Sequence, residues 1–394
     1  MREFKNAITL AKGFRSQAIG AGIKKSGGLD LALIYSDVPA FTCGMFTKNK
    51  FAAAPVELCR EHLKSKKAQA IIVNSGNANC YTGKPGMETA KSTASLGAGL
   101  LGIDKKMVLI ASTGIIGRRL DFSKIKKALP SLVSSLDRDS GNKTARAIMT
   151  TDTKPKALAL ELEISGKKVT IGAIAKGAGM IAPDMGYTGH SRSVYTERSR
   201  SATMLCFITT DALIEYSALK EALRQAVEDS FNMITIDGCM STNDSVIILA
   251  NGLAENKKIC LGAPNFSKFK TALSEICLGL AKMIILDAEG AGKFITIQVS
   301  GAKSDAQAKK AALAVANSNL FKTAVYGGGT NWGRIVAAVG ASGVEVREKI
   351  KIEGDSFRKK DIIVKIDLRL GRGKAVVYTS DLTPEYIRIN AEYN

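Results

Sequence analysis

The stretch Ser201-Ala-Thr-Met-Leu-Cys-Phe-Ile-Thr-Thr-Asp-Ala212 decides the reading of this chain. Ala202 is small, so the Ala202–Thr203 peptide bond is sterically accessible. The apolar run after Thr203 has the length of a buried strand, about five to seven residues. Upstream, Ile174-Ala-Lys-Gly-Ala-Gly-Met-Ile-Ala-Pro183 reads as a strand end entering a Gly-rich turn that carries one lysine, Lys176. A threonine so placed suits a chain that cuts its own backbone and then uses the new N-terminal residue as a nucleophile. A threonine hydroxyl is a weak nucleophile at its free pKa and needs a base. The α-amino group freed by the cut, with a pKa near ~8, can be that base.

Composition narrows the alternatives. The chain has only two histidines, His62 and His190. That scarcity argues against Ser-His and Cys-His nucleophiles and against a His-rich metal site. His62, in Arg60-Glu-His-Leu-Lys64, is expected on a solvated helix face, and His190 in an exposed polar stretch. The seven cysteines show no Cys-x-x-Cys spacing and read as reduced, mostly buried thiols of a cytoplasmic protein. At 394 residues, 45% hydrophobic and 23% charged, the chain fits two domains or one large layered body. No apolar run reaches the ~18 residues of a membrane span. The N-terminus lacks the apolar core of a secretory signal. The formal net charge of +20 raises nucleic acid as a partner. Yet the lysines and arginines are scattered and only 6% of residues are aromatic, so no base-stacking platform is expected and no nucleic-acid partner. The excess reads first as a lysine-rich compositional bias, and a cationic field would also favour an anionic substrate such as an amino-acid carboxylate.

Periodicity gives the architecture. Short strands are expected at 70–74 and 107–111, the first entering turn chemistry at 75–79 and the second entering Ser112-Thr-Gly-Ile-Ile-Gly117. Helical spacing covers 85–101 and 122–148. Leu158, Leu160, Leu162 and Ile164 alternate with polar or small residues, and Ser165-Gly166 intervenes before a second run, so 157–175 is a hairpin candidate. Further strands are expected at 204–209, 245–250, 294–299, 362–368 and 374–379, and helices at 217–231, 266–283 and 304–318. The fold class is therefore α/β (α+β), with mixed β-sheets and helices on their outer faces. The polar segment 186–201 carries Arg192, Arg198 and Arg200 against the single acid Glu197, and reads as an exposed loop outside the core.

Several motifs belong with Thr203. Ser112-Thr-Gly114 closes a strand, where a Thr-Gly pair can aim N–H groups at an oxyanion. Met149-Thr-Thr-Asp-Thr153 clusters hydroxyls around a carboxylate, and Asp287-Ala-Glu-Gly-Ala-Gly-Lys293 places acids in a Gly-rich turn. That turn lacks the first glycine and the Ser/Thr of a phosphate-binding loop, so nucleotide binding there is rejected. Tyr326-Gly-Gly-Gly-Thr-Asn-Trp-Gly-Arg334 holds the only tryptophan and reads as a packed turn. With Val73-Asn-Ser-Gly-Asn-Ala-Asn79, Phe231-Asn-Met-Ile-Thr-Ile-Asp-Gly238, Ser241-Thr-Asn-Asp244 and Arg388-Ile-Asn-Ala-Glu-Tyr393, these motifs closely resemble, nearly end to end, the ornithine acetyltransferase family, the glutamate N-acetyltransferases of arginine biosynthesis.

The resemblance implies a self-cleaving acetyltransferase fold of N-terminal-nucleophile type. It implies a cut between Ala202 and Thr203 into an α chain, 1–202, and a β chain, 203–394, assembled as a heterotetramer of two of each. Thr203 would be the nucleophile, and Thr113 and Gly114 the oxyanion hole. Thr150, Lys176, Glu289 and Asn390 would bind substrate. Acetyl would pass from N2-acetyl-L-ornithine to Thr203 and then to L-glutamate, with no metal or redox cofactor. Some members also accept acetyl-CoA, which makes it a candidate co-substrate. Two features depart from the family pattern. Residues 186–201 are inserted between Met185 and Ala202, and one residue, Asn394, follows Tyr393 where the family commonly has two, the last a substrate-binding threonine. Two other readings fit the residues. One is a self-cleaving amidohydrolase or aminopeptidase that uses water as acceptor. The other is an uncleaved, inactive basic binding protein.

Overall fold

The computed structural model describes residues 5–187 and 203–392. Ala202, His190, residues 188–201 of the polar segment and Asn394 lie outside the described residues.

Strand β1 (Phe14–Ile19) and a long β2 (Leu31–Thr47) precede helix α1 (Ala54–His62) and β3 (Lys67–Asn77). Helix α2 (Gly83–Leu101), β4 (Val108–Ile115), α3 (Phe122–Ser134) and α4 (Gly141–Ala147) follow. Next come the hairpin of β5 (Lys156–Ile164) and β6 (Lys167–Lys176), and the short β7 (Met185–Gly186). Beyond Thr203 lie β8 (Leu205–Thr210), α5 (Tyr216–Glu228), β9 (Ser245–Ala250) and α6 (Pro264–Leu286). The chain continues through β10 (Phe294–Ala302), α7 (Asp305–Ala316), α8 (Asn319–Gly327) and α9 (Trp332–Ala341). It ends with β11 (Lys351–Gly354), β12 (Asp361–Asp367), β13 (Gly373–Ser380) and α10 (Pro384–Glu392).

The large sheet has the strand order β4-β3-β2-β9-β8-β6-β5, with β1 and β7 attached to β2, and β10 to β13 form a second sheet. Strand β2 carries both halves of the large sheet. Its first part pairs with β1 and β3, its second part with β9, and its register breaks between Tyr35 and Ala40. The two halves pack face to face. Ile34, Ile71, Val73 and Leu109 of one meet Ile174, Leu205, Phe207 and Ile247 of the other in one core. The alternate residues face outward, Ile72 and Ile110 against α2 and α3, and Cys206 and Ile208 against α5 and α6. Four layers result, helices outside and sheets inside. This explains the unbroken apolar run after Thr203, because both faces of β8 are covered and nothing requires polar alternation.

The hairpin expected at 157–175 forms, and its turn residues Ser165 and Gly166 both have positive φ, 50° and 75°, as a two-residue hairpin turn requires. The helical pattern over 122–148 is interrupted. Asp137 leaves the helix to exchange backbone hydrogen bonds with Ser16 at 2.8 and 3.3 Å. Strand β2 was not anticipated, because Pro39 and the charged Asp37 break its pattern at the bulge. Three expectations are corrected. His62 is buried rather than solvated, because the last turn of α1 packs on β4 and its Nδ1–H donates to the Val108 carbonyl at 2.8 Å. Trp332 opens helix α9 rather than sitting in a turn, and its ring packs edge-on against Phe357. The first residues of the polar segment are docked rather than free. Gly186 pairs with Phe46 of β2, and the Tyr187 hydroxyl donates to the Lys220 carbonyl, with the Lys220 ammonium over its ring. All seven cysteines are free, and Cys43, Cys59, Cys80, Cys206 and Cys277 are buried. Among the described residues no helix is long and apolar enough to cross a membrane.

The N-terminal segment closes over β6 at a position that excludes a side chain. A Cβ on Gly172 would lie 1.8 Å from the Ala7 carbonyl oxygen. Gly172→Ala is expected to lower stability by about 1–3 kcal/mol in denaturant unfolding, the usual cost of overpacking. A wild-type midpoint would show that the segment yields without cost.

Candidate active site

The two sheet layers expose their strand ends at one common edge, and the candidate residues gather there. Asn243, in the loop before β9, ties the layers together. Its side-chain amide donates to the carbonyls of Ala78 at 2.7 Å and Ser112 at 2.9 Å. Its backbone N–H donates to Ser241 Oγ at 3.2 Å, and Ser241 Oγ lies 3.0 Å from Thr203 Oγ1. Either hydroxyl can donate in the Ser241–Thr203 contact. Thr203 is buried, two residues before β8 begins.

Thr113 and Gly114 lie near the end of β4, and Lys176 ends β6. Gly114 has φ +132°, and a Cβ there would lie 2.3 Å from the Gly76 carbonyl carbon, so only glycine lets β4 close on β3 at this point. The fully buried Lys176 ammonium donates to Thr150 Oγ1 at 2.7 Å and lies 3.5 Å from Thr113 Oγ1. With its oxygen facing the ammonium, Thr113 keeps its proton for another acceptor, as an oxyanion hole requires.

A chain of alternating buried charges runs outward from Lys176. Asp152 lies 3.6 Å from Lys176 and 2.7 Å from Lys156, and Lys156 lies 2.6 Å from Asp287. Asp152 also accepts the backbone N–H of Gly177 at 2.6 Å and of Thr150 at 3.1 Å. Burial alone would raise the Asp152 carboxyl, but Lys176, Lys156 and the Gly177 N–H together hold it well below the usual carboxylate range. Burial pulls the Lys176 ammonium down, opposed by Asp152. Asp287 accepts the Thr153 N–H at 3.1 Å, so both ends of the Thr150–Thr153 loop are fixed by the same network.

Glu289 follows two residues later and turns back onto the loop after β6. Its backbone N–H donates to the Ala178 carbonyl at 2.9 Å, and a Cβ on Gly179 would lie 2.3 Å from its Oε2. Asn390 of α10 donates to Glu289 Oε2 at 2.7 Å. The turn 177–179 therefore touches Glu289 on one side, while a Cβ on Gly177 would stand 3.6 Å from the Thr203 carbonyl on the other. Thr113, Thr150 and Lys176 are in direct contact, Glu289 and Asn390 form a second pair, and this turn joins the two groups. Sequence reasoning assigned no role to Asp152, Lys156, Ser241 or Asp244. For Ser241 and Asp244 the available signal was a polar run, Ser241-Thr-Asn-Asp244, set directly before an apolar strand. Among the described residues no three His, Cys, Asp or Glu side chains converge as a metal site would require.

Curated relatives match this chain over nearly its whole length. The family model described as the ArgJ family matches residues 15–357. The arginine biosynthesis bifunctional protein ArgJ of Geobacter sulfurreducens is 46% identical over 404 residues, covering 97% of this chain and 99% of its own. The glutamate N-acetyltransferase of Methanocaldococcus jannaschii is 42% identical, with 100% of both chains covered. Among solved structures, ornithine acetyltransferase from Mycobacterium tuberculosis, complexed with ornithine, is 35% identical with a TM-score of 0.43, covering 47% of this chain and 99% of that one.

The charge chain makes a direct prediction. Lys156→Met leaves Asp152 and Asp287 without the cation between them, and loss of one partner from a buried pair typically costs about 3–5 kcal/mol. Thermal unfolding at neutral pH should show that loss. The Asp152 contribution is present above its unfolded pKa of ~3.9 and fades as the pH falls through that value toward its depressed native one. The gap between wild type and variant should therefore narrow in acid, and a gap independent of pH would contradict the ionised network.

Proposed function

The chain belongs to the ArgJ family, and on that premise we propose how its site works. It is a glutamate N-acetyltransferase of arginine biosynthesis. Thr203 becomes the nucleophile when the Ala202–Thr203 bond is cut by its own hydroxyl. The freed α-amino group then takes the Thr203 Oγ proton, and Oγ attacks the acetyl carbonyl of N2-acetyl-L-ornithine. Thr113 and Gly114 receive the negative charge on the tetrahedral intermediate, with the Lys176 ammonium beside Thr113. Ornithine leaves, the acetyl group stays on Thr203, and the amine of L-glutamate accepts it. Glu289 and Asn390 hold the ammonium end of ornithine, and Thr150 and Lys176 face the carboxylate end.

One observation carries this reading. The Thr203 hydroxyl sits buried beside Ser241, at the same sheet edge as the Lys176–Thr113 contact that an oxyanion hole needs. The pairing of β8 with β6 favours a complex that survives the cut. Six residue pairs, from Ile171 with Thr210 to Lys176 with Leu205, link strands on opposite sides of Thr203. The two fragments then assemble as two copies of each in the cytoplasm, where the free thiols stay reduced. Acetyl-CoA is a second donor consistent with the bifunctional name of the relatives.

Purified protein should run as two fragments on a denaturing gel, and N-terminal sequencing should place Thr203 first in the second. Thr203→Ala should stay full length and transfer no acetyl group. A cut at another bond, or an active Thr203→Ala protein, would overturn the assignment.

A further inference from the structure

Asp244 is a buried acid beside Thr203 that the transfer mechanism leaves unused. It ends the loop before β9 and its side chain is wholly buried. Its Oδ1 accepts the Met204 N–H at 2.8 Å, while Met204 in turn accepts the Ser245 N–H at 3.1 Å, so the carboxyl is clamped to the residue that follows Thr203. Its Oδ2 is buried and has no hydrogen-bond partner among the described residues. The charged groups that face it are Lys176 at the end of β6 and Asp237 in the preceding loop. Burial raises the carboxyl to about 8, against the N–H groups of Met204 and Ser241 and the Lys176 charge. A bare carboxylate oxygen in such a place is costly, which favours the neutral acid at neutral pH, with one proton and no acceptor for it among the described residues.

We infer that Asp244 is the acid of self-cleavage, delivering its Oδ2 proton to the Thr203 nitrogen as the Ala202–Thr203 bond breaks. The inference rests on the self-cleavage proposed above. An amide nitrogen is a poor leaving group unless it is protonated, and an acid that titrates near the working pH is best suited to protonate it. The nitrogen in question is one residue from the Met204 nitrogen that Asp244 already holds. In the step, Thr203 Oγ bonds to the Ala202 carbonyl carbon and its proton passes to water. The C–N bond then breaks while the Asp244 proton moves to nitrogen, which leaves an ester on Oγ and a neutral amine. Asp244 regains the proton from solvent, so the net transfer is one proton from Oγ to nitrogen. Water hydrolyses the ester and frees Thr203.

The test follows processing of freshly synthesised chain in a cell-free system, quenched at intervals and read on a denaturing gel between about pH 6 and pH 9.5. Wild-type processing should slow as the pH rises through the Asp244 titration, because the proton is lost. Asp244→Asn keeps the acceptor for Met204 and lacks the proton, and should process about 10²- to 10⁴-fold more slowly at neutral pH, the usual range for a general acid. Wild-type processing at neutral pH in the Asn variant would overturn the assignment of Asp244 while leaving cleavage at Thr203 standing. A wild-type rate that rises throughout the range would do the same, and this reading needs no variant to fold. No cutting of wild type at any pH would overturn self-cleavage itself, and the inference with it.

Discussion

The buried chain of charges Lys176–Asp152–Lys156–Asp287 is the constraint on which the site depends. Four charged groups placed this close are expensive singly and tolerable only in alternation, each beside an opposite charge. Here the alternation spans three separate pieces of backbone. Lys176 ends β6, Lys156 begins β5, and Asp287 follows α6, with Asp152 in the loop that leads into β5. None of these pieces can shift without exposing a charge to an apolar core. The Thr150 hydroxyl and the Glu289 carboxylate are carried on the same pieces, so the network fixes the distance between the two ends of the candidate site.

The second constraint is the fold of β2. A single strand that serves both sheet layers brings the end of β4 toward the beginning of β8, although the two are far apart along the sheet. Asn243 seals that approach with two carbonyl contacts from one amide group. Ser241 and Asp244 flank it and face Thr203 and Met204 respectively. A short polar loop thus holds Thr203 by its side chain and by the following amide at once.

Much of this was legible in the sequence, and the rest was hidden for physical reasons. Strands with both faces buried, such as 204–209 and 245–250, announce themselves as apolar runs. The hairpin at 157–175 announces itself by alternation and a Ser-Gly turn. Thr203, Thr113, Lys176 and Glu289 came from motifs in order, and the structure sets Lys176 against Thr113 and Glu289 against the turn after β6. Strand β2 was missed because a bulge interrupts its period where it passes from one layer to the other. His62 was misread because a lone histidine in a charged helix looks solvated, and only the packing of α1 on β4 supplies its carbonyl partner. Asp152 and Asp244 show only polar runs beside apolar strands, and Lys156 carries no local signal. Their roles arise from burial next to residues distant in sequence, which no pattern of neighbours records.

The proposed mechanism turns on an acetyl-threonine, and that intermediate can be sought directly. Wild-type protein incubated with N2-acetyl-L-ornithine and no glutamate, then quenched in acid, should yield a 203–394 fragment heavier by one acetyl group. Peptide mapping should place that group on Thr203, and addition of glutamate before the quench should remove it. Acetylation at another residue, or steady transfer to glutamate with no acetyl group ever held on Thr203, would contradict the mechanism.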